Sequence, residues 1–114
     1  MIELSYPAAP LWPNKRAHWA AKAKATKKAR LDAFMMMRGY LAQFDAPAVP
    51  ARLVFTIRPK PTGPVPDRDN CVAAVKALQD GIAAALSLND RDLDTPRIII
   101  GERCKGGAVI VEVE

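Results

Sequence analysis

Two aspartates one residue apart, Asp67 and Asp69, open the stretch PDRDNCVAAVKALQDG, and three more follow at alternate positions, Asp90, Asp92 and Asp94. Carboxylates set close together repel one another unless a cation or a helix N-terminus stabilises their charge. Asp is a good N-cap and the helix dipole favours acid in the first turn, so Asp67 and Asp69 can simply begin a helix. The other chemistry open to them is ligation of a hard cation such as Mg²⁺, which takes carboxylate oxygens, retained waters and substrate phosphate and needs no His or Cys. The single histidine, His18, argues further against a transition-metal site. It reads either as a surface or aromatic-packed side chain or as a phosphate or base contact.

On a helix, at about 100° per residue, Asp69, Lys76 and Asp80 fall within about 40° of one another. Lys76 can snorkel at the surface, or it can stabilise negative charge on a phosphate. Asp80 reads as the i,i+4 partner of Lys76 in preference to a metal ligand. A second charged segment has the opposite sign. Residues 15–30, KRAHWAAKAKATKKAR, hold seven Lys or Arg and no acid, whereas residues 67–94 hold six of the twelve acidic residues. Trp12, His18 and Trp19 are interleaved with Lys15, Arg16, Lys22 and Lys24, a mixture suited to phosphate contacts and base stacking. A basic track beside an acidic metal pocket is the charge layout of a metal-dependent nuclease, the metal screening the carboxylates from the DNA they would otherwise repel.

The elements that must position these groups follow from the apolar pattern. IELSY (2–6) alternates as a first strand, and the prolines of PAAPLWPN (7–14) require irregular chain. From about residue 17 to 44 an Ala-, Lys- and Met-rich run without proline predicts one long helix or a flexible basic lead followed by a helix, with Leu31, Phe34, Met35, Leu41 and Phe44 of the second half for a buried face. ARLVFTIRP (51–59) has the period-two pattern of a strand, and PKPTGPVP then ends regular structure before Asp67. Val72, Val75, Leu78, Ile82 and Leu86 recur at three- and four-residue steps, predicting a helix from Asp69 to about Leu86. RIIIGERC and AVIVEVE are β-branched runs joined by KGG, whose glycines supply the positive φ of a tight turn, and a C-terminal hairpin is expected. The order is β-α-β-α-β-β: an α/β (α+β) domain with a small mixed sheet and two main helices.

With 114 residues the chain is one domain. Its half-apolar, quarter-charged composition is that of a globular protein, not a disordered one. No run approaches the roughly 20 apolar residues of a membrane span, and MIELSYPAAP lacks the layout of a secretory signal. The expectation is a soluble, cytoplasmic protein. Cys71 and Cys104 lack CxxC spacing and read as reduced structural thiols.

The residues DRDN, the Lys76 and Asp80 that follow, LND at 88–90 and the KGG at 105–107 together resemble the RusA family of Holliday junction resolvases. PLWPNKRAHW is similar to that family's Pro-rich N-terminal segment, so the resemblance spans nearly the whole chain. It implies a homodimeric, Mg²⁺-dependent endonuclease that recognises four-way DNA junctions and introduces paired symmetric nicks. It further implies that Asp67, Asp69 and Asp90 are metal ligands, that Lys76 is the essential lysine, and that all four are catalytic. The family's lysine follows its second aspartate by four residues, where this chain has Ala73, whereas Lys76 follows by seven. The family's paired acids before the third strand appear as Asn89 and Asp90, with Asp92 as a further ligand candidate. Asn14, Lys15, Arg16, Trp19, Lys22, Lys24, Lys27 and Lys28 are the expected DNA contacts. Three other readings stand beside this one: a non-catalytic nucleic-acid-binding module, a flap or fork nuclease, and a small interaction domain with no DNA role.

Overall fold

The computed structural model describes residues 1–13, 16, 18–47 and 51–114, with Asp90 described by its backbone alone. It is an α+β fold. Strand β1 (Ile2–Ser5) leads through a 3-10 turn at Ala9–Leu11 to helix α1 (Trp19–Leu41), followed by β2 (Leu53–Arg58). Helices α2 (Arg68–Ala74) and α3 (Lys76–Ala85), a 3-10 turn at Asp90–Asp92, and strands β3 (Arg97–Ile100) and β4 (Ala108–Val113) complete the chain.

The four strands form one mixed sheet in the order β1-β4-β2-β3. β4 pairs antiparallel with both β1 and β2, and β2 pairs parallel with β3 through the α2–α3 crossover. The expected C-terminal hairpin is therefore corrected: β2 lies between β3 and β4. Its period-two pattern buries Leu53, Phe55 and Ile57 almost completely, which makes it a central strand with a partner on each side. The linker 101–107 crosses the end of β2, and Gly106 and Gly107 adopt positive φ within it, as their sequence led us to expect.

Alternating residues of all four strands, including Ile2, Leu4, Phe55, Ile98, Val109 and Val111, join one core with Ala33 and Met37 of α1 and Leu78 and Ile82 of α3. The helix expected from Asp69 to Leu86 is divided at Val75 (φ −92°, ψ 0°). The division lets α2 reach β3 while α3 packs along α1. That last contact is close: a Cβ at Gly81 would collide with the carbonyl oxygen of Arg30 and come within 3.1 Å of the Ala33 Cβ. Small residues thus form the α1–α3 seam. Leu31, Met35 and Phe44, expected in the buried face, are exposed instead.

Candidate active site and basic face

Asp67 is the N-cap of α2. Its Oδ1 accepts the Asn70 backbone N–H at 2.8 Å, and its Oδ2 accepts from the Asn70 side-chain amide at 3.4 Å. Capping accounts for one carboxylate as the sequence allowed. Asp69 stands in the first turn of α2, exposed, and its carboxylate makes no hydrogen bond or ion pair with the described residues. Beneath the pair lies Cys71, fully buried, its thiol pushed up to about 11 by burial and then by the nearby Asp67 carboxylate. It is a protonated core thiol. Cys71 and Cys104 are both free.

The 90s aspartates are held differently. Asp92 Oδ2 accepts the Asn89 backbone N–H at 3.0 Å, and Asp94 lies 4.0 Å from Arg52. Backbone bonds from Ala51 to Asp92 and from Asp94 to Ala51, with the Ala51–Leu93 bridge, tie this segment to the chain just before β2. Asp67, in contrast, follows the loop leaving the far end of β2, where Cys104 bonds to Pro59 and Arg103 to the carbonyls of Lys60 and Gly63. The six residues of β2 at about 3.3 Å each put roughly 20 Å of strand between the two ends. The backbone therefore sets the Asp67–Asp69 pair and the Asp90–Asp92 turn at opposite ends of the parallel pair. Among the described residues no three His, Cys, Asp or Glu side chains are grouped to hold a metal ion; the Asp90 side chain lies outside those residues.

Lys76 and Asp80 form the i,i+4 ion pair at 3.0 Å. Both line a groove of about 480 Å³ that runs beside α3 and is completed by Arg30, Ala84, Leu88 and Asn89. Arg30 also lines a second concavity, of about 510 Å³, with Trp19, Lys22, Thr26 and Lys27. Trp19 is 76 % exposed there, an uncommon state for an indole. His18 caps α1 by accepting the Ala20 N–H at 3.2 Å and packs against Trp19. Of the other residues expected on DNA, Arg16 and Lys24 are exposed. Lys28 pairs with Asp32 at 2.7 Å and lines a different hollow, next to β1. Asn14 and Lys15 lie outside the described residues.

Trp12 is only 8 % exposed and donates its indole N–H to the Pro7 carbonyl at 3.0 Å, so its ring belongs to the core and not to the basic face. The sequence pattern missed one feature altogether: a cleft of about 320 Å³ between Tyr6, Trp12, Lys60 and Asn70. Its residues come from two stretches far apart in the chain, 6–12 and 60–70, and no spacing rule links them. No helix among the described residues is long and apolar enough to cross a membrane.

The chain is 34 % identical over 116 residues to a protein of Xylella fastidiosa (strain Temecula1 / ATCC 700964) described as uncharacterized; the match covers 98 % of this chain and 74 % of that one. The two belong to the same family. No family model matches the chain, and no solved structure matches it.

Proposed function

We propose that this chain is a Mg²⁺-dependent endodeoxyribonuclease of the RusA type, resolving four-way DNA junctions by paired symmetric nicks as a cytoplasmic homodimer. The observation that carries this reading is the position of Arg30, which joins the Trp19–Lys22–Lys27 concavity to the groove of Lys76, Asp80 and Asn89. A phosphate backbone drawn to the basic face of α1 is thereby led along α3 toward the Asp90–Asp92 turn.

The donors present suit a hard cation. Asp69 offers a carboxylate with no partner among the described residues, Asp67 keeps lone pairs beyond its cap, and the one nearby thiol is buried and protonated. Mg²⁺ held by Asp67, Asp69 and Asp90 would supply Lewis-acid activation of the scissile phosphate and the attacking water. Lys76, already oriented by Asp80, would neutralise charge on that phosphate. Asp67 and Asp69 lie at the opposite end of the β2–β3 pair from Asp90, so the set is best completed across the homodimer. One copy then brings the DxD pair and the other brings Asp90.

The binding-module reading has an observation of its own. Asp67, Asp80, Asp92 and Asp94 each have a structural partner, which is what caps and surface pairs require. Nicking of labelled four-way junctions of several core sequences, against linear duplex, fork and flap controls in Mg²⁺ and in EDTA, separates the readings. Paired nicks confined to junctions and lost in EDTA are expected; tight junction binding without scission would establish the module. Mixing Asp69→Asn with Asp90→Asn chains tests the shared site. Neither variant alone should nick, and the mixture should regain nicking in one strand, because one composite site of the heterodimer is intact.

A further inference from the structure

The cleft that the sequence did not foreshadow opens at the same end of the sheet as Asp67 and Asp69. Tyr6 follows the last residue of β1, Lys60 lies just beyond β2, Pro64 and Pro66 precede the cap, and Asn70 belongs to the first turn of α2. Asn70 both lines the cleft and bonds to Asp67, so the cavity adjoins the acid pair directly.

Its parts are held in place before any ligand arrives. The Tyr6 and Trp12 rings meet at 5.4 Å with a 30° tilt, and the indole is anchored by its bond to Pro7. Gly107 presses on Tyr6 from the β3–β4 linker: a Cβ there would lie 2.7 Å from Tyr6 Cδ1. Arg103 ties down the 60–63 loop through two carbonyls at 2.9 Å each. Walls fixed in this way lose little freedom when a ligand enters.

The chemistry on offer is that of a nucleotide. The Lys60 ammonium sits 5.8 Å from the centroid of Tyr6, so a ring face is presented to the cavity and covered by a movable, exposed cation. A nucleobase stacked on that face holds more strongly than an exposed lysine does. The displaced ammonium is then free to meet the phosphate that the same nucleotide carries. The side-chain amide of Asn70 presents an acceptor and a second N–H beyond its bond to Asp67, the complementary pair that a base edge needs.

Resting on the nuclease reading above, we infer that this cleft receives the base of a nucleotide beside the scissile phosphate, stacked on Tyr6 with Lys60 on its phosphate and Asn70 on its edge. A base still stacked in a duplex cannot enter, so the cleft favours the unstacked strand at a branch point.

The test is fluorine NMR of the full chain labelled with fluorotryptophan, whose two signals, Trp12 and Trp19, are assigned from a Trp19→Phe spectrum. Adding a four-way junction in EDTA should move the Trp12 signal, and linear duplex should not. Tyr6→Leu and Lys60→Ala should each weaken junction binding about tenfold and flatten the preference among core sequences, whereas Tyr6→Phe should match the wild type. Lys60 is exposed, so its variant reports even where Tyr6→Leu fails to fold. A junction that is bound and nicked with the Trp12 signal unmoved and Lys60→Ala at wild-type level overturns the cleft and leaves the nuclease standing. An equal shift with linear duplex overturns the preference for an unstacked base. Failure of the wild type to bind any DNA at low salt overturns the nuclease reading and the cleft with it.

Discussion

At the end of the sheet where β2 hands over to α2, Asp69 stands exposed with no partner among the described residues, beside a preformed cleft. At the opposite end Asp92 and Asp94 are both engaged, one on the Asn89 backbone and one near Arg52. The two ends carry the same residue type at the same alternate spacing, and only the surroundings differ. Where the chain must turn sharply to start β3, the Asp92 carboxylate serves as a hydrogen-bond acceptor for the turn and that of Asp94 lies within ion-pair distance of Arg52. Where it enters a helix, one carboxylate satisfies the cap and its neighbour is left over, since a single side chain suffices for that role. Asp69, left over from the cap, keeps its whole carboxylate unengaged among the described residues.

The largest effect that would break or sharpen this contrast is on scission. Asp69→Asn is expected to lower junction nicking at least a hundredfold while junction affinity and melting temperature stay at wild-type values; Asp94→Asn should nick within about twofold of wild type. Comparable losses in the two variants, measured by single-turnover nicking, would erase the distinction between the ends.

Asp67 should show both behaviours at once. Asp67→Ala removes the cap and is expected to cost about 1 kcal/mol in urea unfolding, whereas Asp67→Ser restores the cap without restoring the carboxylate. Both should fail to nick, and only the first should melt early. A stable, fully active Asp67→Ser chain would make Asp67 a cap and nothing more.

The smallest effect belongs to Asp92, in the turn at the far end. Asp92→Ala leaves the Asn89 N–H without its acceptor in a half-exposed turn, and a loss of about 0.5–1.5 kcal/mol is expected. Asp92→Asn, which keeps an acceptor oxygen, should recover most of it. Equal unfolding midpoints for wild type and Asp92→Ala would show that the turn does not depend on this bond.

Much of the framework was legible in the chain itself. The alternation of Leu53, Phe55 and Ile57, the stripe of Val75, Leu78 and Ile82, the cap at Asp67 and the Lys76–Asp80 pair all depend on neighbours within a few residues. Local spacing is what periodicity records. The hairpin failed for the opposite reason: AVIVEVE is compatible with any antiparallel partner, and which strand it meets depends on how well β2 fills the centre of the sheet. Leu31 and Met35 looked like core because they are large and apolar. The glycine at position 81 brings the α1 and α3 backbones so close that only small side chains fit between them.

The sequence by itself determined the element types, the basic character of α1 and the helix-opening role of the DxD, because each is set by charge, propensity and spacing along one segment. Tertiary structure alone decided three other things: that Trp12 is a core ring while Trp19 is not, that the two groups of aspartates belong to segments at opposite ends of β2, and that Tyr6, Lys60 and Asn70 wall one cleft. These depend on distances between residues far apart in the chain. Such distances are fixed by how the strands are ordered and how closely the helices pack, and no short-range pattern carries them.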